Sequence, residues 1–373
     1  MLSSGHYPLE ARIFHREALS LRKVYQEITI VAPYHKEDEV TAGIRIVGLK
    51  ARRRWWNRLK PLIQMYKQGL RIGADVYHCH EADSLLVGYL IKKRLGCKLI
   101  YDSHELHSVQ FPQHFPGLVR KLVGFLVRRY EKWLLSSVDY VITVNQIIRS
   151  YFLLLNPFVP VEILYNCPPL SVFEKRKQCG ERCVLCHEGL INFDRGLQDM
   201  IQLLVALRPR YPGIKLLIIG DVQGPVGDWL TSQISNFHLE DHIEITGWLP
   251  YEQVGKAIQR AQIGLIFFRP LPNNMLAGPP NKLFNYMRYA LPVVASDFPE
   301  IRRIIQESNC GVLVHPQDDQ GFIDAIDRLL QSPEEATQMG ERGQRAVLDT
   351  YNWEKMEQRL LGVYQKLVPL GFR

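Results

Sequence analysis

Apolar and polar positions alternate along this chain in two periods. Short apolar runs are separated by stretches in which apolar residues recur every three or four positions. Strands are predicted over 27–32, 43–49, 75–80, 98–101, 140–144 and 161–164, with the alternation in 43–49 typical of a sheet edge. Helices are predicted over 13–21, 84–95 and 118–135. The residues from 166 to 180 lack periodicity and carry Pro168, Pro169 and a charged Glu-Lys-Arg-Lys cluster, which marks a linker. Beyond it, strands at 183–187, 215–220, 243–246, 263–268, 292–295 and 311–314 alternate with helices, the last three over 317–330, 334–348 and 353–367. Regular strand-then-helix alternation calls for parallel, doubly wound sheets, so the fold class is α/β with two such domains.

Composition fits this picture and charge adds to it. At 373 residues the chain is long enough for two domains, each with its own core. No run of 18 apolar residues occurs and no secretory signal pattern opens the chain, so neither a membrane span nor export is expected. Seven scattered cysteines fit reduced thiols in a cytosolic protein. Residues 1–180 hold 27 Lys and Arg against 15 Asp and Glu, whereas residues 181–373 hold 19 against 23. The basic first half suits an anionic partner such as a membrane surface, a phosphorylated lipid or a nucleic acid, or is a solvated basic surface. Residues 50–71 carry eight Lys and Arg, no acid, and Trp55 and Trp56. They read as an amphipathic surface segment among lipid headgroups, or as a helix whose Trp side chains pack on the sheet. The 118–135 helix has an apolar stripe of Val119, Val123, Leu126, Tyr130 and Leu134 flanked by Arg120, Lys121, Arg128, Arg129 and Lys132. It faces a membrane or, more commonly for such a helix, covers the sheet.

Candidate chemistry gathers at strand ends, where open α/β sheets bind ligands. Residues 277–296 read as a Gly-Pro loop, a short helix, a turn and a buried strand, with Pro279 and Pro280 suited to the helix's first turn. Asn281, Asn285 and Arg288 share one side of this helix, and Leu283 and Met287 another. A helix N-terminus leaving a loop with Lys282 in its first turn suits phosphate. Residues 189–204 read as loop then helix, with Asp194 as N-cap and Arg195 able to fork onto phosphate. His78, His80, His104 and His107 lie near two strand ends but lack metal-ligand spacing, and no metal is expected. Cys183 and Cys186 followed by His187 copy a haem-attachment pattern inside a predicted strand, and no haem is expected.

Three stretches carry a resemblance: Asp-Val-Tyr-His-Cys-His-Glu-Ala-Asp from 75 with Ile-Tyr-Asp-Ser-His-Glu from 100, the loop and helix of 189–204, and 279–296. They resemble the family 4 glycosyltransferases, which have the GT-B fold: two Rossmann-like doubly wound domains facing across a cleft, with a C-terminal helix crossing back. The resemblance implies an acceptor-side domain over 1–168, a linker over 169–181, a nucleotide-sugar-binding domain over 182–350 and a crossover helix over 351–373. It implies a retaining glycosyltransferase that moves a sugar from a nucleoside-diphosphate-sugar donor to a glycan or lipid-linked acceptor in surface polysaccharide or glycoconjugate synthesis. It further implies no cofactor or metal, and a cytoplasmic site, peripheral at the inner face of the membrane. The residues implied are His104 near the transferred sugar, Arg195, Gly278, Lys282 and Asn285 on the donor, and Gly5, His6, His80 and Glu105 on the acceptor side. The family's two acids, eight positions apart, correspond to Ala277 and Asn285, and one of its two basic clamp residues to Leu190. The family's first strand is reduced here to two or three residues, as in a chain that is truncated or starts further upstream.

These departures define an alternative: a catalytically weak or inactive GT-B protein that serves as a binding or partner subunit. A nucleic-acid binder built on the Arg/Trp segment is a third class, and no nucleic-acid partner is expected.

Overall fold

The computed structural model describes residues 1–50, 59–170, 183–222, 224–276 and 278–369. Trp55, Trp56, most of the expected linker and Ala277 lie outside the described residues. The chain divides into two compact units: Met1–Asn166 with Trp353–Arg373, and Cys167–Asn352.

In the first unit, strands β1 (Thr29–Pro33), β2 (Asp38–Thr41) and β3 (Ile44–Leu49) lie in the order β1-β3-β2, and β4 (Val76–Cys79), β5 (Lys98–Ser103), β6 (Tyr140–Thr143) and β7 (Val161–Ile163) in sequence order. Residues 1–3 join the two groups. The Val31 N–H donates to Met1 O and the Ser3 N–H to Val31 O; on the other side the Leu2 N–H donates to His78 O and the His80 N–H to Leu2 O. Three residues thus satisfy the backbone groups that a missing central strand would leave unpaired. Residues 43–49 do not form the sheet edge that alternation suggested. The β2 strand does, pairing antiparallel to β3 across a two-residue turn in which Ala42 and Gly43 both have positive φ. Its Asp-Glu-Val-Thr sequence is half exposed and too polar to read as a strand.

The predicted helix at 13–21 begins as a π-helix, Ala11–Ala18, and continues as Leu19–Arg22. Its i→i+5 bonding brings residues five apart close together, and Arg12 and Glu17 are both buried. The Trp353–Leu367 helix belongs to this unit: the Trp353 indole donates to Ser20 Oγ, and Tyr364 Oη lies 2.9 Å from His78 Nδ1.

In the second unit six parallel strands take the order β10-β9-β8-β11-β12-β13: β8 is Val184–Glu188, β9 Lys215–Ile219, β10 Ile243–Ile245, β11 Ile263–Ile266, β12 Val293–Ser296 and β13 Gly311–Val314. By position along the unit this is 3-2-1-4-5-6. The strand order reverses between β8 and β11, the place where open α/β sheets bind ligands beyond the C-terminal ends of their strands. The Asn281–Arg288 helix packs on β11, where Gly264 is required: a Cβ there would lie 2.4 Å from the Tyr286 ring. Pro280 caps this helix from outside rather than starting it, and 282–290 are all buried, so Asn285 and Arg288 are covered while Asn281 is exposed.

Candidate functional site

The reversal point in the second unit collects polar groups that no single stretch of sequence contains. The β8 strand ends in buried His187 and half-buried Glu188. Gly189 then turns with φ +90°, and the loop reaches a short 3₁₀ turn, Phe193–Arg195, capped by the Asn192 side chain, which accepts the Arg195 N–H. Asn192, not Asp194, is therefore the cap. Gly196 follows at φ +78°, so close to Phe267 that a Cβ would clash at 2.4 Å. This pins the loop, and the Arg195 guanidinium lies 4.3 Å from the centre of the Phe268 ring, a cation–π distance. Ser296, at the end of β12, accepts from the Phe268 N–H and donates to Phe268 O, fixing that ring's backbone.

The Asn281–Arg288 helix brings Lys282 and Asn285 to the same place. Lys282 Nζ is 3.0 Å from His187 Nε2 and 5.9 Å from the Phe268 ring centre. The Asn285 side-chain amide donates to both oxygens of Glu188, at 3.1 and 3.0 Å. The Tyr286 hydroxyl accepts the Glu188 N–H and donates to Cys186 O, tying the helix to the strand end. Burial draws the Lys282 ammonium down to about 7, against the pull of the Glu188 carboxylate. Burial likewise lowers His187, helped by Lys282, and keeps the imidazole neutral. Burial raises the Glu188 carboxyl, and Asn285 and Lys282 oppose the rise.

The first unit has its own constellation. Arg12 forks onto Asp102, at 3.1 and 3.0 Å, and its other terminal nitrogen donates to Leu164 O and Asn166 Oδ1. Its Nε is also 2.9 Å from Glu17. Asp102 Oδ2 lies 2.9 Å from Nε2 of His104, which is 19% exposed. Burial works to raise Asp102, but Arg12 and then His104 outweigh it and hold the carboxyl well below its usual range. Burial, then Asp102, pushes Glu17 well above its own. Ligand atoms of Glu17, His78, His80 and Asp102 lie within 4.8 Å of one another, a geometry that could take a metal ion. Arg12 already supplies a cation to both carboxylates of that set.

Residues 3–5 close over this end of the sheet. The Ser3 hydroxyl and the Ser4 and Gly5 N–H groups all donate to the Glu81 carboxylate. His6 pairs with Glu10 at 2.7 Å, and its ring centre is 5.9 Å from that of His104.

Comparison with known proteins settles what this architecture is. Residues 173–346 match the family described as Glycosyl transferases group 1, and residues 11–171 match Glycosyltransferase Family 4. The chain belongs to the group 1 glycosyltransferases of family 4. Its two Rossmann-like α/β units make up the GT-B fold. Among relatives of this glycosyltransferase, the alpha-D-kanosaminyltransferase of Streptomyces kanamyceticus is 22% identical over 79% of this chain and 78% of its own. Among solved structures, the sucrose-phosphate synthase of Thermosynechococcus elongatus superposes with TM-score 0.73 at 18% identity, covering 98% of each chain. Anabaena HepE in complex with UDP gives TM-score 0.73 at 14% identity, again over 98% of each.

The residues singled out in the glycosyltransferase sequence fall into two groups. Arg195, Lys282 and Asn285 meet at the β8/β11 reversal point, and Gly278 precedes the two prolines that lead into the Asn281–Arg288 helix. Gly5, His6 and His104 share one end of the first unit's sheet. His80 is buried, stacked on His78 at 4.6 Å, with its ring centre 6.0 Å from that of His104. Glu105 is exposed. Cys186 is buried inside β8, as a strand residue should be. Sequence reasoning missed Glu188, Phe268 and Ser296 in one unit and Arg12, Glu17 and Asp102 in the other. Glu188 directly follows the strand predicted over 183–187, and its partner is 97 residues away.

Proposed function

We propose that this glycosyltransferase takes a sugar from a nucleoside-diphosphate-sugar donor and passes it, with retention of configuration and without a metal or other cofactor, to a glycan or lipid-linked acceptor in surface polysaccharide or glycoconjugate synthesis. The observation that carries the reading is the pair of cations, Arg195 and Lys282, gathered around the Phe268 ring at the reversal point, next to the Asn285–Glu188 pair. Cations at this place stabilise the charge of a departing diphosphate, and hydrogen-bonding groups beside them recognise hydroxyls. Arg195 can fork onto phosphate oxygens, and Lys282, set in the first turn of a helix, adds to that helix's N-terminal field. Donor phosphate itself assists the acceptor, since neither constellation offers an activated nucleophile. His104, held by Asp102, serves the transferred sugar, and Gly5, His6 and Glu105 lie on the acceptor side. HepE, similar in fold, is known in complex with UDP. The test is turnover of UDP-, GDP- and ADP-sugars by the wild-type chain and by Arg195→Ala. Release of one nucleoside diphosphate, cut at least tenfold in the folded variant, supports the reading. An unchanged rate removes Arg195 from the site, and no turnover or binding by a folded wild type favours the binding-subunit alternative.

A lipid-linked acceptor also calls for a membrane-facing surface, and the Gly117–Leu135 helix supplies one. Sequence periodicity favoured a helix covering the sheet, but only its C-terminal end, with Glu131, Leu134 and Leu135, is buried. Leu118, Leu122, Phe125 and Leu126 are each more than half exposed, and Arg120, Lys121, Arg128, Arg129 and Lys132 are exposed around them. Its single acid, Glu131, is buried. Among the described residues no helix is long and apolar enough to cross a membrane. An apolar strip with basic flanks instead suits an anionic bilayer surface, on the cytoplasmic side, with the helix lying in the headgroup layer. Flotation with phosphatidylcholine vesicles, with and without phosphatidylglycerol, tests it. Binding should need the anionic lipid and be lost in Leu122→Glu/Phe125→Glu, whereas equal binding of the variant, or dimerisation through this face in place of vesicle binding, contradicts it.

A further inference from the structure

Two buried carboxyls, those of Glu17 and Asp102, compete for one guanidinium, and the one that holds it more fully also meets His104. Arg12 and Glu17 are five residues apart on the Ala11–Ala18 π-helix, a spacing that brings both to one spot against the end of β5. We infer that Arg12 is a positioning residue for sugar transfer: by forking onto the Asp102 carboxylate it fixes the tautomer of His104 that carries its hydrogen on Nε2, and leaves Nδ1 to accept a hydroxyl of the transferred sugar.

The place of the hydrogen follows from the acceptors. An ionised carboxylate only accepts, so the 2.9 Å contact between Asp102 Oδ2 and His104 Nε2 requires the hydrogen on Nε2. A neutral imidazole then keeps a lone pair on Nδ1. A protonated Asp102 would instead donate to Nε2, and the hydrogen would sit on Nδ1, turning an acceptor into a donor. Arg12 decides between the two. Its Nε and one terminal nitrogen reach Asp102 at 3.1 and 3.0 Å, and both side chains are buried, where such a pair is little screened. Burial works against the Asp102 charge, but Arg12 and then His104 hold its carboxyl well below the usual range. Burial and then Asp102 push Glu17 up, so of the two acids Glu17 is the one that takes a proton. The His104 ring is partly exposed, within reach of a ligand. Around it stand His6 with its partners Glu10 and Glu81, at 5.9 Å between ring centres, His80 at 6.0 Å with His78 stacked on it, and Glu105 and His107 close in sequence. A change at Arg12 reaches the ring through Asp102, which the two share. The competing role for Arg12 is a clasp: it also donates to Leu164 O and Asn166 Oδ1, joining the π-helix to the residues after β7. Cutting a clasp lowers stability and leaves the His104 tautomer alone.

The sugar half of the inference rests on the donor reading above, and its test keeps the two apart. The tautomer is read from imidazole nitrogen resonances in protein made with isotope-labelled histidine, at about pH 8, with the His104 signals assigned by their loss in His104→Gln. In the wild type Nε2 should be protonated and Nδ1 bare; the reverse overturns the inference at once. In Arg12→Met, Nδ1 should gain a proton, either in the tautomer to which a neutral Asp102 donates or in an imidazolium paired with the carboxylate. The kcat for transfer should fall at least about tenfold, as for a lost hydrogen bond in the transition state, while the Kd for the nucleoside diphosphate stays within about twofold. Arg12→Lys, which keeps a cation beside Asp102, should return the bare Nδ1 and part of the rate. Arg12→Met/Glu17→Met removes the neighbouring acid along with its cation and stands in if Arg12→Met does not fold. A folded variant with the wild-type tautomer leaves Arg12 a clasp and overturns the inference, whatever its rate. A changed tautomer with an unchanged rate overturns it too, since transfer then makes no use of Nδ1. Both results leave the donor reading standing. Folded wild-type protein that turns over none of the UDP-, GDP- and ADP-sugars removes the donor reading, and the sugar role of His104 with it.

Discussion

Lys282→Met should make the second unit more stable while removing a proposed phosphate contact. The Lys282 side chain is only 8% exposed, and burial draws its pKa from 10.5 down to about 7. The unfolded chain, with the ordinary value, binds more protons than the folded one between those limits. Folding stability therefore rises with pH across that window, and the cost of burying the ammonium is full below about pH 7 and gone above about pH 10.5. At about 1.4 kcal/mol per pKa unit, the full cost is about 5 kcal/mol, falling to about 4 at pH 7 and about 2 at pH 9. Met keeps the apolar stem and loses the contact with His187, which offsets about 1–2 kcal/mol of the gain; the attraction to Glu188 is already contained in the shift. The variant should thus exceed the wild type by about 2–3 kcal/mol at pH 7, with the margin close to zero at pH 9. Because two units need not unfold together, the readout should be local: hydrogen exchange in urea on peptides covering β8 and the Asn281–Arg288 helix. A margin that does not change with pH, or a variant less stable at pH 7, would refute the assignment of Lys282 as a buried, desolvated ammonium. A gain in stability with loss of nucleotide binding is the signature of a group retained for function.

Gly264→Ala places a methyl 2.4 Å from the Tyr286 ring and should destabilise the second unit by about 1–3 kcal/mol, measured by urea unfolding with the same peptides; an unchanged stability would mean that the helix rides freely on β11. In the first unit, burial first and the neighbouring His78 next draw His80 down to about 3, with Asp102 opposing. The unfolded chain takes up a proton near pH 6.5 that the folded one refuses, so stability should fall as pH drops through the range 6.5 to 3, by about 2 kcal/mol at pH 5, and a His80→Gln variant should show a flatter acid limb. Asp102→Asn leaves Arg12 without its forked carboxylate and should cost about 3–5 kcal/mol in thermal or urea unfolding of the first unit, with sugar transfer lost alongside; full activity in a folded variant would separate His104 from catalysis.

Periodicity carried most of the fold, because covered parallel strands and amphipathic helices have distinct apolar spacings. The β2 strand escaped because its polar side chains and Ala42–Gly43 turn carry neither a strand pattern nor a familiar hairpin pair. Residues 1–3 are too short for any periodicity, yet their backbone hydrogen bonds make them part of the sheet. Arg195, Lys282 and Asn285 could be singled out because their stretches resemble family motifs, and Arg195 and Lys282 also lie where a loop leads into a helix. Glu188 and Asp102 could not be given roles that way, because their partners come from elements 97 and 90 residues distant. The burial of His80 was not legible either: a strand-end histidine looks the same in sequence whether it is exposed or covered.

The most direct measurement is calorimetric binding of UDP, GDP and ADP to the purified wild-type chain and to Arg195→Ala, without added metal. The expected result is micromolar binding of one nucleoside diphosphate to the wild type, weakened at least about tenfold by the substitution, as for loss of a charge-assisted contact. Binding of none of the three by folded wild-type protein would contradict a nucleotide-sugar site at the β8/β11 reversal point.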